Sequence, residues 1–243
     1  MTRRTWLTLV LTAAGAPVLA GGPGRLGEPA LLTIPGNVAA GLVRRSGGEE
    51  DRWAKEIAAF AADDEARPFA PGGIVFVGSS SIRLWDVASA FPGRPVLNRG
   101  FGGTQVLDSV RHVERLVIHH KPATVVFYAG DNDLSAGRTP QQVAADFAAF
   151  AAKVHAALPA TRIAFIGIKP SIARWALIAK VREANRLVRD SCDRDDRLGF
   201  VDVDAAMLGW DGKPRPELFV KDGLHMSPKG YEIWNMLVRP FIE

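Results

Sequence analysis

From Gly73 onward the chain alternates between two hydrophobic patterns. Short apolar runs occupy residues 74–77, 95–98, 124–128, 162–168 and 198–203. Runs of four to seven such residues, rich in Val, Ile and Phe, suit strands buried on both faces. Between them, apolar residues recur every three or four positions: Val106, Val110, Val113 and Val117, then Val143, Phe147, Phe150 and Val154, then Ile178, Val181 and Val188. That spacing lines one face of a helix. Tyr231, Trp234, Leu237 and Phe241 mark a last helix, opened by Ser227 as N-cap and Pro228 in its first turn. Strands alternating with amphipathic helices mean βαβ units with right-handed crossovers. The expected fold is therefore α/β: one three-layer αβα sandwich around a flavodoxin-like, five-stranded parallel sheet of order 2-1-3-4-5. Ahead of it, Trp53, Ile57 and Phe60 predict a helix over 49–63 that packs on this domain of residues 49–243, ended by Pro68 and Pro71.

The first 48 residues read differently. Arg3 and Arg4 precede a short apolar stretch from Trp6 to Ala14, and Val18-Leu19-Ala20 fits a small-residue cleavage site. We expect a signal peptide over 1–20 and an exported protein, periplasmic or extracellular. The paired arginines also suit the twin-arginine route. Residues 21–48, rich in Gly and Pro and without periodicity, are expected to form a flexible arm. The formal charge of +4 includes Arg3 and Arg4 and shows no basic stripe with interleaved aromatics, so nucleic acid is not an expected partner. No later segment has the length and apolarity of a membrane span, so no stable insertion is expected once the signal is removed. The single cysteine, Cys192, excludes an internal disulfide and any multi-cysteine metal site.

Four polar clusters carry the candidate chemistry: Gly78-Ser79-Ser80-Ser81, Gly102-Gly103, Gly130-Asp131-Asn132-Asp133, and Asp222-Gly223-Leu224-His225. The first three follow directly on the first three strands. In an open parallel sheet, ligands bind beyond the carboxyl ends of the strands, and the predicted order makes these three ends neighbours. A serine at a strand-to-helix turn sits beside unpaired N–H groups at the positive end of a helix. Glycines let the backbone approach a ligand closely. A carboxamide offers a neutral donor of fixed direction. Asp and His three residues apart can meet on one turn, where the carboxylate orients the imidazole. These are the groups needed to attack an ester and hold the resulting oxyanion.

In order and content the clusters resemble the SGNH hydrolases, also called the GDSL lipase/esterase family, over roughly residues 73–240. The resemblance implies an αβα sandwich, no metal or other cofactor, and hydrolysis of carboxylic esters. It makes Ser80 the nucleophile, His225 the general base and Asp222 its orienting carboxylate. The Ser80 N–H, the Gly103 N–H and the Asn132 side chain would form the oxyanion hole. Ser79 departs from the aspartate of the named motif, and Ser81-Ile82-Arg83-Leu84-Trp85 replaces its commoner continuation. These features look more like the exported bacterial branch of the family than like a thioesterase. Expected substrates are small-molecule, glycan or lipid esters.

Trp85, close to the serine cluster, is a candidate wall of the substrate pocket. Lys169, at the end of the fourth strand, and Trp175 are further candidate substrate contacts. Asp131 and Asp133 are expected to be solvated or to cap a helix. Two other readings remain open at this point. One is a metal-dependent phosphoesterase built from Asp131, Asp133, Asp202, Asp222 and His225. The other is a non-catalytic carbohydrate-binding module using exposed Trp.

Overall fold

The five apolar runs form five strands of one parallel sheet: β1 Ile74–Gly78, β2 Val96–Gly100, β3 Thr124–Tyr128, β4 Arg162–Ile166 and β5 Leu198–Val201. Their order is β2-β1-β3-β4-β5, as the alternation predicts. This computed structural model describes residues 52–243. The expected leader over 1–20 and arm over 21–48 lie outside the described residues.

Alternate strand residues point to opposite faces, and each face buries its own core. Val75, Val77, Val125, Phe127, Ile163 and Phe165 face one layer. That layer contains α4 Val106–Arg111, α5 Val113–Leu116, α7 Pro140–Ala157 and α8 Ile178–Cys192, with α1 Ala54–Ala66 alongside. Ile74, Phe76, Val126, Tyr128, Ala164 and Ile166 face the other, where Trp85, Val87 and Trp234 pack. That second layer contains the short helices α2 Ser80–Arg83 and α3 Val87–Ala90 and the terminal helix α9 Pro228–Ile242. The result is a three-layer αβα sandwich.

Two details depart from the sequence pattern. The helix face marked by Val106 to Val117 is divided into α4 and α5, with His112 at the join. The polar clusters after β1 and β3 themselves coil into short helices, α2 and α6 Asp131–Ser135, which apolar periodicity could not reveal. Among the described residues no helix is long and apolar enough to cross a membrane.

The pairing fixes where the clusters sit. Gly78 lies opposite Gly100 on β2 and opposite Tyr128 on β3, so the first three strands end at one level. Gly78 has φ +135°, and a Cβ there would lie 1.9 Å from the Tyr128 carbonyl oxygen. Only glycine lets β1 run this close to β3 and turn at once into the serine cluster.

Candidate active site

Ser79 is extended and Ser80 opens α2. At that first helical position the Ser80 N–H has no partner within the helix. Ser79 and Ser81 are buried, whereas Ser80 is half-buried and reaches the rim. Its Oγ lies 3.0 Å from His225 Nε2, across 145 residues of sequence. His225 Nδ1 lies 2.6 Å from Asp222 Oδ2. The other carboxylate oxygen of Asp222 accepts the N–H groups of Leu224, at 2.8 Å, and His225, at 2.9 Å. The loop 222–225 is thus folded around the Asp222 carboxylate, with the imidazole above it. The hydrogen bond from His225 and the two backbone donors pull the Asp222 carboxyl down to about 2. It therefore stays ionised and holds the proton on Nδ1, leaving the Nε2 lone pair for the Ser80 hydroxyl.

Gly103 stands exposed in the turn after β2 with φ +76°, a conformation that β-carbon-bearing residues rarely adopt. The same turn is joined to Asn132, whose Nδ2 donates to the Thr104 carbonyl at 2.9 Å. Arg174 Nη2 donates to Asn132 Oδ1 at 2.9 Å. With its oxygen engaged by Arg174, the carboxamide can only present nitrogen on its other side. One N–H meets Thr104 and the second remains for a ligand.

Beneath this rim lies a buried polar assembly. Lys169 was expected at the rim; instead its side chain is buried under the site. Its Nζ donates to Ser81 Oγ at 3.1 Å, Tyr128 Oη at 2.9 Å and Asp131 Oδ2 at 3.1 Å. The Asp131 carboxylate also faces Arg174 Nη1 at 3.3 Å. Burial opposes ionisation of Asp131, but Lys169 and Arg174 outweigh it and hold its carboxyl below the usual range. Asn185 pins the segment that carries Lys169: its Oδ1 accepts the Ile168 N–H at 2.7 Å and its Nδ2 donates to the Ile168 carbonyl at 2.9 Å.

Asp133 is buried too, on the other side of Asn132. Both its oxygens accept the Val106 N–H, at 3.1 and 3.2 Å, so it caps the start of α4. Burial pushes its carboxyl up to about 6, against the pull of that hydrogen bond and of Arg138. Of the two expectations for these aspartates, capping holds for Asp133, and neither Asp131 nor Asp133 is solvated.

Trp85 is buried and lines a cavity that His225 also lines. Trp175 is half-buried, with Lys213 Nζ 5.0 Å from its ring centre. The five residues of the phosphoesterase reading are dispersed. Asp131 pairs with Lys169 and Arg174, Asp133 caps α4, Asp202 pairs with Arg189, and Asp222 holds His225. Among the described residues, the group that sets three metal-type donors within 4.8 Å of one another is Asp64, His119 and His120, none of those five. Cys192 is buried and its thiol is pushed up to about 12, so it is no nucleophile near neutral pH.

Arg174 was not anticipated. A signal existed, since it follows the end of β4 by a few residues, between Lys169 and Trp175. Nothing local linked it to Asn132, 42 residues earlier.

The family model of GDSL-like lipases and acylhydrolases matches residues 78–233. Several solved structures share the fold. A GDSL-like lipase from Bacteroides thetaiotaomicron superposes with TM-score 0.66 at 20% identity, covering 76% of this chain and 96% of that one. A lipase/acylhydrolase from Enterococcus faecalis gives 0.57 at 21% identity, covering 70% and 95%. An acetyl-xylooligosaccharide esterase from Geobacillus gives 0.57 at 18% identity, covering 70% and 94%. No curated protein sequence matches the chain.

Proposed function

The chain belongs to the GDSL-like lipase/acylhydrolase family, hydrolases that act on esters, and on that premise we propose that it is an exported serine esterase cleaving carboxylic esters in two acyl-transfer steps. The observation that carries this reading is the hydrogen-bonded series Ser80, His225, Asp222, with contacts of 3.0 and 2.6 Å at the carboxyl ends of β1 to β3. In the first step His225 Nε2 takes the Ser80 proton as Oγ bonds to the ester carbon. The Ser80 N–H, the Gly103 N–H and the free Asn132 N–H receive the oxyanion. His225 then passes its proton to the alkoxide, and the C–O bond to the alcohol breaks. Water, deprotonated by the same imidazole, releases the acid in the second step. Export rests on the paired arginines, apolar stretch and cleavage site of residues 1–20.

The test is covalent labelling. A nitrophenyl alkylphosphonate should inactivate the protein stoichiometrically, and peptide mass spectrometry should place the adduct on Ser80. Ser80→Ala should lose both the label and turnover of nitrophenyl acetate, by at least about 10⁴-fold. Full activity in Ser80→Ala, or an adduct on Ser79 or Ser81, would overturn the assignment.

A further inference from the structure

A cavity of about 610 Å³ opens beside His225. Its floor is Trp85, Met226 and Tyr231, and its mouth is framed by Leu84 and Val220. Those two residues are 50% and 45% exposed, so the cavity opens to solvent between apolar side chains. Several polar groups in the wall have partners of their own. Asn235 Oδ1 accepts the Trp85 indole N–H at 2.9 Å, and Asp86 caps α3 by accepting the Ser89 N–H at 3.1 Å. The volume falls in the range that buries a small organic ligand, and the lining suits an apolar one.

The stereochemistry of acyl transfer says which part of an ester belongs there. The tetrahedral carbon carries four groups: Ser80 Oγ, the oxyanion, the acyl chain and the alcohol oxygen. The oxyanion points to Gly103 and Asn132. The imidazole that takes the Ser80 proton must next deliver it to the alcohol oxygen, so the alcohol lies on the His225 side. Among the lining residues is His225, and none of Ser80, Gly103 and Asn132. The cavity therefore adjoins the leaving group. The acyl chain is left in the direction away from both the imidazole and this cavity.

We propose that this cavity is the alcohol subsite and that it selects esters of lipophilic alcohols, alkyl or aryl, over esters of small or sugar alcohols. The proposal rests on the esterase reading and specifies its substrate class. In the acylation step the Oγ–carbon bond forms and the carbon–alkoxide bond breaks. The proton taken from Ser80 leaves on the alcohol, and the alcohol departs into the apolar cavity.

Octyl acetate and ethyl octanoate are isomers that differ in which side of the ester bears the long chain. Compared below their solubility limits, octyl acetate should have a kcat/KM at least about tenfold higher. Along the series ethyl, butyl, hexyl and octyl acetate, kcat/KM should rise about threefold per pair of methylenes or more, as partial burial of each methylene allows. Val220→Asp and Leu84→Asp, both at exposed positions, should reduce the octyl-to-ethyl acetate ratio by about tenfold. Equal rates on the two isomers, or preference for ethyl octanoate, would overturn the alcohol subsite and leave the esterase reading intact. An octyl-to-ethyl ratio unchanged in both variants would overturn the placement in this cavity. Hydrolysis of neither isomer, together with no phosphonate label on Ser80, would overturn the esterase reading itself.

Discussion

The candidate site has two halves built in opposite ways. The proton-transfer half, Ser80, His225 and Asp222, is open to water: the Asp222 and His225 side chains are 47% and 29% exposed. A single tight loop holds Asp222 and His225 through three contacts to one carboxylate, and a fourth contact joins the ring to Ser80 at the start of α2. The oxyanion half is held from beneath by dry charges. Asn132 sits between two buried aspartates, is gripped by Arg174, and rests on the Asp131–Lys169 pair. A base must rotate slightly between the serine and the leaving group, and a wet, local mount allows that. A donor for a developing charge works best when it is fixed in advance and surrounded by fixed dipoles. On the proposed mechanism, the difference between the halves follows the difference between those tasks.

If water stands in for missing partners in the open half, the two replacements of Asp222 should separate. Asp222→Asn puts a donor against Nδ1 and favours the imidazole tautomer with its proton on Nε2, which cannot accept from Ser80. Turnover should fall by about 10³- to 10⁴-fold. Asp222→Ala removes the carboxylate but lets water reach Nδ1, so its loss should be smaller by about tenfold or more. Steady-state kinetics on nitrophenyl acetate decide it. Equal losses in the two variants would mean that the exposure of Asp222 is irrelevant to its work.

The buried half should instead reveal itself in stability against pH. Burial raises the Asp133 carboxyl to about 6 from an ordinary value near 3.8. The folded chain therefore keeps this proton in a range where the unfolded chain has released it. By linkage, Asp133 costs stability as pH rises through about 4 to 6, and the cost is constant above that. The full displacement, from 3.8 to about 6, corresponds to about 3 kcal/mol. Asn at this position can still accept the Val106 N–H but does not titrate. The stability of Asp133→Asn relative to the natural chain should thus rise by about 2.4 kcal/mol between pH 4 and pH 7, read from urea unfolding at each pH. The same difference at both values would mean that Asp133 is solvated after all.

The two halves also differed in how far the chain itself announced them. Asp222 and His225 are three residues apart, and their contact follows from a single turn. The serine and asparagine clusters stand out because each breaks directly from an apolar run at a strand end, and strand order then makes them neighbours. The sheet was legible for the same reason, since buried strands and amphipathic helices have distinct periods. The frame under Asn132 had no such mark. Lys169 and Arg174 lie 38 and 42 residues from their partners. Their side chains carry charge, which by composition alone reads as surface. Strand-end position did point at Lys169, but it could not say whether the ammonium turned up to the rim or down onto Tyr128 and Asp131. That choice belongs to packing across β3 and β4. The short helices α2 and α6 were invisible because four or five residues hold no helical period.

The smallest expected effect is the most specific to the buried half. Arg174 fixes Asn132 by donating to its Oδ1, so it acts through the carboxamide as a positioning residue. Asn132→Ala, which removes the donor, should lower kcat about 100- to 1000-fold. Arg174→Ala leaves the donor in place but free to turn, and should lower kcat about tenfold with KM little changed. A merely structural arginine would give a similar single loss, so the decisive measurement is the double variant. If Arg174 acts through Asn132, then Arg174→Ala should alter kcat less than about twofold when Asn132 is already alanine. A further tenfold loss in that background would show that the guanidinium meets the substrate directly. The oxyanion half would then be charged at its surface as well as beneath it, and the contrast with the open half would narrow to the depth at which each is buried.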